Sequence, residues 1–378
     1  MNIGFFTETY KPEINGVVTS IESFRQELER AGHTVYVFAP GDDLLPTPWK
    51  KAKRERRVFR FNSFSYPLYK SIRVAIPINV PVSRKIPKLE LDLVHSHTPF
   101  SLGLFAQNVA RREDIPHVHT YHTLYPEYAK LYFPGFKKWN GRAAERMSAL
   151  FCNAVTEVVS PSDAIKRKLK SYGITTPITT VPTGIDRDFF ERRGSSAALR
   201  KRYRIPPNVP ILITVARLGR EKSIDYVLRS FQRVLKTHPD AHYVIVGDGP
   251  AREELETLAR ELGVSQQVRF TGLVSKRADV VRLYRMADVF VFASKTDTQC
   301  LTLLEAAATG LPLVARYDKP LETALRDRKN GYFVTGGEAA FAKAVGRILV
   351  AIATEDALPD TNAFKEAVRR VGAAFRAR

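Results

Sequence analysis

The stretch Val289–Pro312, V-F-V-F-A-S-K-T-D-T-Q-C-L-T-L-L-E-A-A-A-T-G-L-P, decides the fold of the half of the chain around it. Its first five residues form an unbroken apolar run, the pattern of a strand covered on both faces. The run L-T-L-L-E-A-A-A after Cys300 reads as a helix ended by Gly310. Asp297 then falls on a loop at the C-terminal edge of a strand, and Glu305 within the first turns of the next helix. Ligands bind at that edge of an open α/β sheet. Two carboxylates there can accept hydrogen bonds from the vicinal hydroxyls of a ribose or a hexose. An acidic loop followed by a helix acid favoured by the dipole would leave the same pattern.

The alternation continues in both directions. Strands are expected at Ile211–Ala216, His242–Gly247, Val268–Thr271 and Leu313–Ala315, with helices at Ser223–Lys236, Ala251–Leu262, Ala278–Met286 and Thr302–Thr309. The N-terminal half has strands expected at Ile3–Phe6, Val35–Ala39, Leu91–His95, His117–Tyr121, Val155–Ser160 and Ile178–Val181. Its helices are expected at Val17–Ala31, Leu102–Arg112, Gly141–Ala154 and Ser162–Ser171. Two doubly wound, parallel-sheet α/β domains follow, with a boundary after Pro182, near Thr183–Ser196. A chain of 378 residues exceeds what one core supports. Tyr66–Leu89, rich in Pro and without a clean period, reads as a loop-and-strand excursion of the first domain as far as its Val and Ile residues go, while its basic and aromatic residues, if exposed, would suit an interfacial membrane contact. Ala363–Arg378 reads as a final basic helix with Asn362 as N-cap.

Lys+Arg 59 against Asp+Glu 39 gives a formal charge of +20. Such an excess favours polyanions: nucleic acid, an anionic membrane surface or phosphorylated ligands. The cations cluster at Lys50, Lys51, Lys53, Arg54, Arg56, Arg57 and Arg60, at Lys137, Lys138, Arg142 and Arg146, and at Lys166, Arg167, Lys168 and Lys170. No helix-turn-helix, zinc-finger or RNP-type motif accompanies them, which disfavours nucleic acid. The opening residues are too short for a signal peptide, with Glu8 too early, and no apolar run is long enough to span a membrane. Cys152 and Cys300 have no paired or metal-ligand spacing, so a cytoplasmic, reduced protein is expected.

Asn15-Gly16 opens the first helix after the first strand, where a glycine lets a backbone N–H approach an anion; a plain turn glycine reads equally well. Arg217 and Lys222, in R-L-G-R-E-K after a strand, suit a diphosphate, or are surface cations. Gly247, in G-D-G-P, allows close backbone approach to a nucleoside or is only a turn. His95, His97, His117, His119 and His122 crowd the first domain, but their spacings lack a matching carboxylate, and no metal site is expected. His122 stands apart, between a strand and T-L-Y-P-E-Y, read as a loop at the functional edge. D-x-D at Asp186–Asp188 reads as a turn or cap.

Together, F-F-T-E-T-Y-K-P-E-I-N-G-V-V, H-S-H-T-P-F, T-Y-H-T-L-Y-P-E-Y, P-T-G-I-D, V-A-R-L-G-R-E-K, V-G-D-G-P and the Asp297–Glu305 block resemble those of the family 4 retaining glycosyltransferases of GT-B fold. The resemblance spans nearly the full chain, and T-Y-H-T-x-Y narrows it to the branch of bacterial diacylglycerol glucosyltransferases. It implies two Rossmann-like domains facing a cleft. The first, residues 1–183, would be the acceptor and membrane side, with helix 363–378 packing back on it. Residues 184–362 would bind the nucleotide sugar. Gly16 would sit against the donor diphosphate and His122 against the donor sugar. Arg217 and Lys222 would hold the diphosphate, Glu305 the ribose hydroxyls and Asp297 the sugar, with Gly247, Leu301 and Thr302 lining the donor site. Tyr125, Glu127, Tyr128, Trp139, Lys137, Lys138 and Arg142 would serve the acceptor or membrane.

The resemblance further implies UDP-glucose as donor, diacylglycerol or its glycoside as acceptor, an α-glycoside product, no metal, no cofactor and no nucleic acid. It places the enzyme peripherally on the inner face of the cell membrane. GDP-mannose or another UDP-sugar with a different lipid-linked or soluble acceptor is the alternative within enzymes, and a basic nucleic-acid-binding protein the alternative outside them. Asp297 stands where the family usually has Glu, and Cys300 where its nearest branch usually has Gly. The segment Ala315–Asp318 also departs from the usual small residues.

Overall fold

The computed structural model describes residues 1–43, 55–66, 69–77, 80–132, 137–190, 197–323, 325 and 329–354. The chain divides into two compact units, Met1–Thr183 and Gly184–Arg378.

The first unit runs β1 (Asn2–Phe6), α1 (Gly16–Arg30), β2 (Thr34–Asp43), β3 (Val58–Tyr66), β4 (Tyr69–Ala75), α2 (Val80–Ser83) and β5 (Leu93–Ser96). It continues α3 (Ser101–Glu113), β6 (His117–Thr120), α4 (Tyr125–Tyr132), α5 (Lys137–Cys152), β7 (Glu157–Ser160), α6 (Asp163–Ser171) and β8 (Ile178–Thr180). The eight strands lie in the order β4-β3-β2-β1-β5-β6-β7-β8. Pairing is parallel except between β3 and β4. The β3–β4 hairpin contains part of the Pro-rich excursion.

The second unit runs α7 (Ala197–Arg202), β9 (Ile211–Val215), α8 (Ile224–Val234), β10 (His242–Val246), α9 (Arg252–Glu261), β11 (Val268–Gly272) and α10 (Arg277–Met286). It continues β12 (Val289–Phe292), α11 (Leu301–Ala308), β13 (Leu313–Arg316), β14 (Gly331–Val334) and α12 (Glu338–Ala353). The order β11-β10-β9-β12-β13-β14 is that of a doubly wound sheet, parallel throughout. The apolar run of β12 is explained by its two faces. Phe290 and Phe292 belong to one buried cluster with Ile211, Ile213 and Leu303, whereas Val289 and Val291 belong to another with Leu212, Phe231 and Tyr243. Helices cover both faces, so no position on the strand is left polar. Each fully buried Phe contributes about 1.5–3 kcal/mol relative to exposure.

Each sheet has one point where the strand order reverses, between β1 and β5 in the first unit and between β9 and β12 in the second. A crevice opens outside the C-terminal ends of such strand pairs. The expected final helix at 363–378 lies outside the described residues.

Candidate active site

In the second unit, the reversal point brings the ends of β9 and β12 side by side. The chain leaves β9 through Arg217 and forms a 3-10 turn, Arg220–Lys222. Ser223, in the left-handed region at φ 49°, then turns it into α8. Lys222 Nζ donates to Asp297 Oδ1 at 2.8 Å, and both side chains are largely covered. Asp297 Oδ2 is buried and has no hydrogen-bond partner. A buried carboxylate oxygen without a donor is costly, and it suits a ligand hydroxyl. Arg217 is paired with the buried carboxylate of Glu221. Gly219 makes room for that carboxylate: a Cβ there would stand 2.1 Å from Glu221 Oε2.

Gly247 answers to the backbone. Its φ is +129°, a Cβ would stand 1.9 Å from Ala216 O, and its N–H already donates to Gly272 O at 3.1 Å. The close approach is therefore between the ends of β9 and β10.

Glu305, on α11, is 8% exposed. Tyr284 Oη donates to its Oε2 at 3.0 Å and also lies 3.1 Å from Thr302 O. Arg277 Nη2 is 3.7 Å from its Oε1. Arg277 Nε lies 3.1 Å from Asp186 Oδ2 without the alignment of a hydrogen bond, and its guanidinium sits over Phe189, 4.8 Å from the ring centre. Burial raises the Glu305 carboxyl to about 7, against the opposing pull of Arg277 and the Tyr284 hydroxyl. Leu301 packs against the adjoining core, and Cys300, at φ 56°, caps α11 in the left-handed region. Asp186 accepts from Asp188 N at 3.2 Å, a turn contact. Sequence reading passed over Tyr284, Arg277 and Glu221. The seven-residue spacing of Arg277 and Tyr284 places them on one face of α10, a signal that could have been used for the first two.

In the first unit, Asn15 caps α1: its Oδ1 accepts from Val18 N at 3.0 Å and its Nδ2 donates to Thr9 Oγ1 at 2.8 Å. Gly16 is the first helical residue and exposed, and the first turn of α1 holds no acidic residue. Glu8, at the end of β1, accepts from Leu102 N at 2.6 Å and from Ser101 Oγ at 2.8 Å, tying that loop to the start of α3.

His122 follows β6, with Nε2 2.9 Å from His97 Nδ1. Ser96 Oγ bridges His117 Nε2 at 2.7 Å and His119 Nδ1 at 2.8 Å, and His95 Nε2 meets Thr120 Oγ1 at 2.7 Å. Burial keeps the rings neutral, His95 and His122 pushed down to about 3, His117 to about 4, and His97 and His119 well below the ordinary range. Among the described residues no group of three or more His, Cys, Asp or Glu is arranged to hold a metal ion.

T-L-Y-P-E-Y is not a loop: α4 starts at Tyr125. Tyr125 packs edge-on against Phe100 and Tyr121. Glu127 pairs with Lys168 at 2.9 Å and Lys130 at 3.4 Å, which together hold its carboxyl below the usual range against the opposing effect of burial. Tyr128 lies in α4, partly covered, and Arg142 is exposed on α5. Lys137, Lys138 and Trp139 fall in α5, but their side chains, like Lys50–Arg54, are outside the described residues.

Two open sheets, parallel but for β3–β4 and each with polar groups near its reversal point, are the architecture of the GT-B fold. The family model described as Glycosyltransferase Family 4 matches residues 14–189, and that described as Glycosyl transferases group 1 matches 195–358. The chain belongs to glycosyltransferase family 4. It is 34% identical to the alpha-monoglucosyldiacylglycerol synthase of Acholeplasma laidlawii over 89% of this chain and 86% of that protein. To the synthase of the same name from Streptococcus pneumoniae it is 32% identical, over 93% of this chain and 79% of that protein. HepE from Anabaena, solved with UDP and glucose, shares the fold with a TM-score of 0.76 at 18% identity, covering 100% of this chain and 98% of that one. These likenesses favour the transferase reading over the nucleic-acid-binding one.

Proposed function

We propose that the protein transfers glucose from UDP-glucose to diacylglycerol, or to a glycosylated diacylglycerol, at the surface of an anionic membrane, with retention and without a metal. The acceptor rests on the likeness to the two monoglucosyldiacylglycerol synthases over most of the chain. The observation that carries the chemistry is the Lys222–Asp297 pair at the β9/β12 reversal point, with Arg217 on the same loop as Lys222.

Arg217 and Lys222 face the donor diphosphate. Each is paired with a carboxylate, and guanidinium carries five N–H donors and ammonium three, more than one carboxylate oxygen takes. Their charge counts most as the glycosidic C1–O bond breaks and its electron pair passes to the diphosphate. The acceptor oxygen forms the new C1–O bond on the same face, and its proton goes to the departing phosphate oxygen. Asp297 Oδ2 takes a sugar hydroxyl, and Glu305, once ionised, takes the ribose diol beside Leu301 and Thr302. Gly16 and the start of α1 carry the diphosphate's remaining charge, and His122 meets the sugar as a neutral imidazole. Tyr128 and α5 serve the acceptor side.

Nucleoside diphosphate release is measured, UDP from UDP-glucose and GDP from GDP-mannose, each with vesicles containing and lacking diacylglycerol, and the anomeric configuration of the product is read by NMR. Diacylglycerol-dependent release with retention at C1 is expected. Release only from GDP-mannose, or independence of lipid acceptor, overturns the reading. Activity should survive a chelator, and strict dependence on a divalent ion would overturn the metal-free mechanism.

A further inference from the structure

We infer that His97 is a positioning residue that holds His122 in the tautomer protonated at Nδ1, with Nε2 bare. His97 Nδ1 and His122 Nε2 lie 2.9 Å apart, so one of the two nitrogens carries the hydrogen between them. The other nitrogen of His97 decides which. His97 Nε2 is buried and has no hydrogen-bond partner. A proton placed there would be a buried N–H without an acceptor, the rarer and costlier defect. The proton of His97 therefore sits on Nδ1 and is donated to His122 Nε2. The single proton of neutral His122 is left on Nδ1.

The surroundings prevent the ring of His97 from choosing otherwise. It is fully covered, stacked on His95 with centroids 4.3 Å apart and 27° between planes, and met edge-on by Phe5 at 4.8 Å. His95 is itself held by Thr120 Oγ1, at the end of β6 and two residues before His122. Turning His97 over would set a ring carbon against His122 Nε2 and forfeit the one hydrogen bond between the rings. A charged ring is excluded by the same apolar walls, which keep both imidazoles neutral. With Nε2 engaged by His97, the N–H of His122 lies on Nδ1, a donor of the kind that suits a hydroxyl oxygen. This consequence for catalysis rests on His122 facing the donor sugar; the tautomer itself does not.

The test uses the full-length protein with ¹⁵N-labelled histidine. Correlations between ring nitrogens and carbon-bound protons distinguish the two neutral tautomers. The His122 signals are assigned by their loss in His122→Gln. The expected spectrum of the unliganded protein shows His122 bare at Nε2 and protonated at Nδ1. A protonated Nε2, or an imidazolium at neutral pH, overturns the proposal without touching the reading of the protein as a transferase. His97→Asn, whose amide can stand where Nδ1–H stood, should keep the tautomer, and His97→Leu should release it to a mixture. An unchanged tautomer in a folded His97→Leu also overturns the proposal. Losing the partner that orients a metal-bound imidazole lowers activity roughly 10–100-fold, and on that scale kcat of His97→Leu should fall by about 10-fold or more with donor KM little changed. His97→Asn should recover most of it. Equal loss in both variants would assign His97 to packing alone.

Discussion

Glu305 is the residue whose environment makes the sharpest statement about pH. Its carboxyl is raised from 4.5 to about 7, first by burial. The folded state therefore binds the proton more tightly than the unfolded chain between these values. Stability is full below about 4.5, declines as pH rises to about 7, and levels above it, a loss of at most about 3 kcal/mol. Glu305→Gln should flatten that decline in melts taken across the window, and a persisting slope would assign it to other groups. The same variant should weaken UDP binding by about 1.5–3 kcal/mol, because a charge-assisted contact to the ribose diol is lost; unchanged calorimetric affinity sinks the assignment. Wild-type affinity for UDP should rise with pH through about 7, where the carboxyl ionises. Tyr284→Phe removes a donor that favours the ionised form, so the midpoint of this rise should move upward. The other charges facing the group, Arg277 and Asp186, stay in place. At the phosphate end, Arg217→Ala and Lys222→Ala should each lower kcat about 10²–10³-fold. A pure rise in donor KM would mean that they bind only the ground state.

Elements were legible where the physics was local. Strands such as β9, β10 and β12 announce themselves because both faces are buried, and the strand–loop–helix reading of Asp297 and Glu305 follows from that. The Lys222–Asp297 contact, across 75 residues of sequence, is a product of strand order, which composition does not encode. The β3–β4 hairpin was blurred because its cations are internal. Arg60 donates to Pro40 O at 2.9 Å and Lys11 O at 2.7 Å, and Arg73 to Gly41 O at 2.9 Å. The segment read as a loop is helix α4, which carries Pro126 in its first turn, where the missing N–H has no partner to lose. Tyr284 was passed over, and its hydroxyl's partners are 18 and 21 residues away. The cap of α11 permits a test of strain. Cys300 holds φ 56°, a region that disfavours every residue with a Cβ by about 1–2 kcal/mol relative to Gly. Cys300→Gly should therefore be more stable than Cys300→Ala by about 1 kcal/mol in denaturant titrations. Equal stability of the pair would show that the loop relaxes around the Cβ.

At the scale of the whole molecule, the formal charge of +20 has to be divided between internal bonds and free surface. Arg60 and Arg73 are spent on backbone carbonyls, and Lys168 on Glu127. Arg142 and Arg146 are exposed on α5 at a four-residue spacing, and Leu150 continues the same stripe at 67% exposure, with Met147 beside it. No helix among the described residues is long and apolar enough to cross a membrane. A stripe that pairs cations with exposed apolar side chains suits the headgroup region of an anionic bilayer, where a lipid acceptor would be met. Each cation near such a surface contributes about 1 kcal/mol, and the contribution falls with salt. Reversing both charges, Arg142→Glu with Arg146→Glu, should weaken binding to anionic vesicles by at least about 2 kcal/mol, roughly thirtyfold, at low salt. Leu150→Ser should instead remove part of the binding that survives high salt, because burial of an apolar side chain is not screened. Co-sedimentation with anionic and with neutral vesicles, each at low and high salt, reads both effects. Equal and negligible binding to the two vesicle types would leave the charge to solubility, and the lipid acceptor would then rest on the likeness to the diacylglycerol enzymes alone.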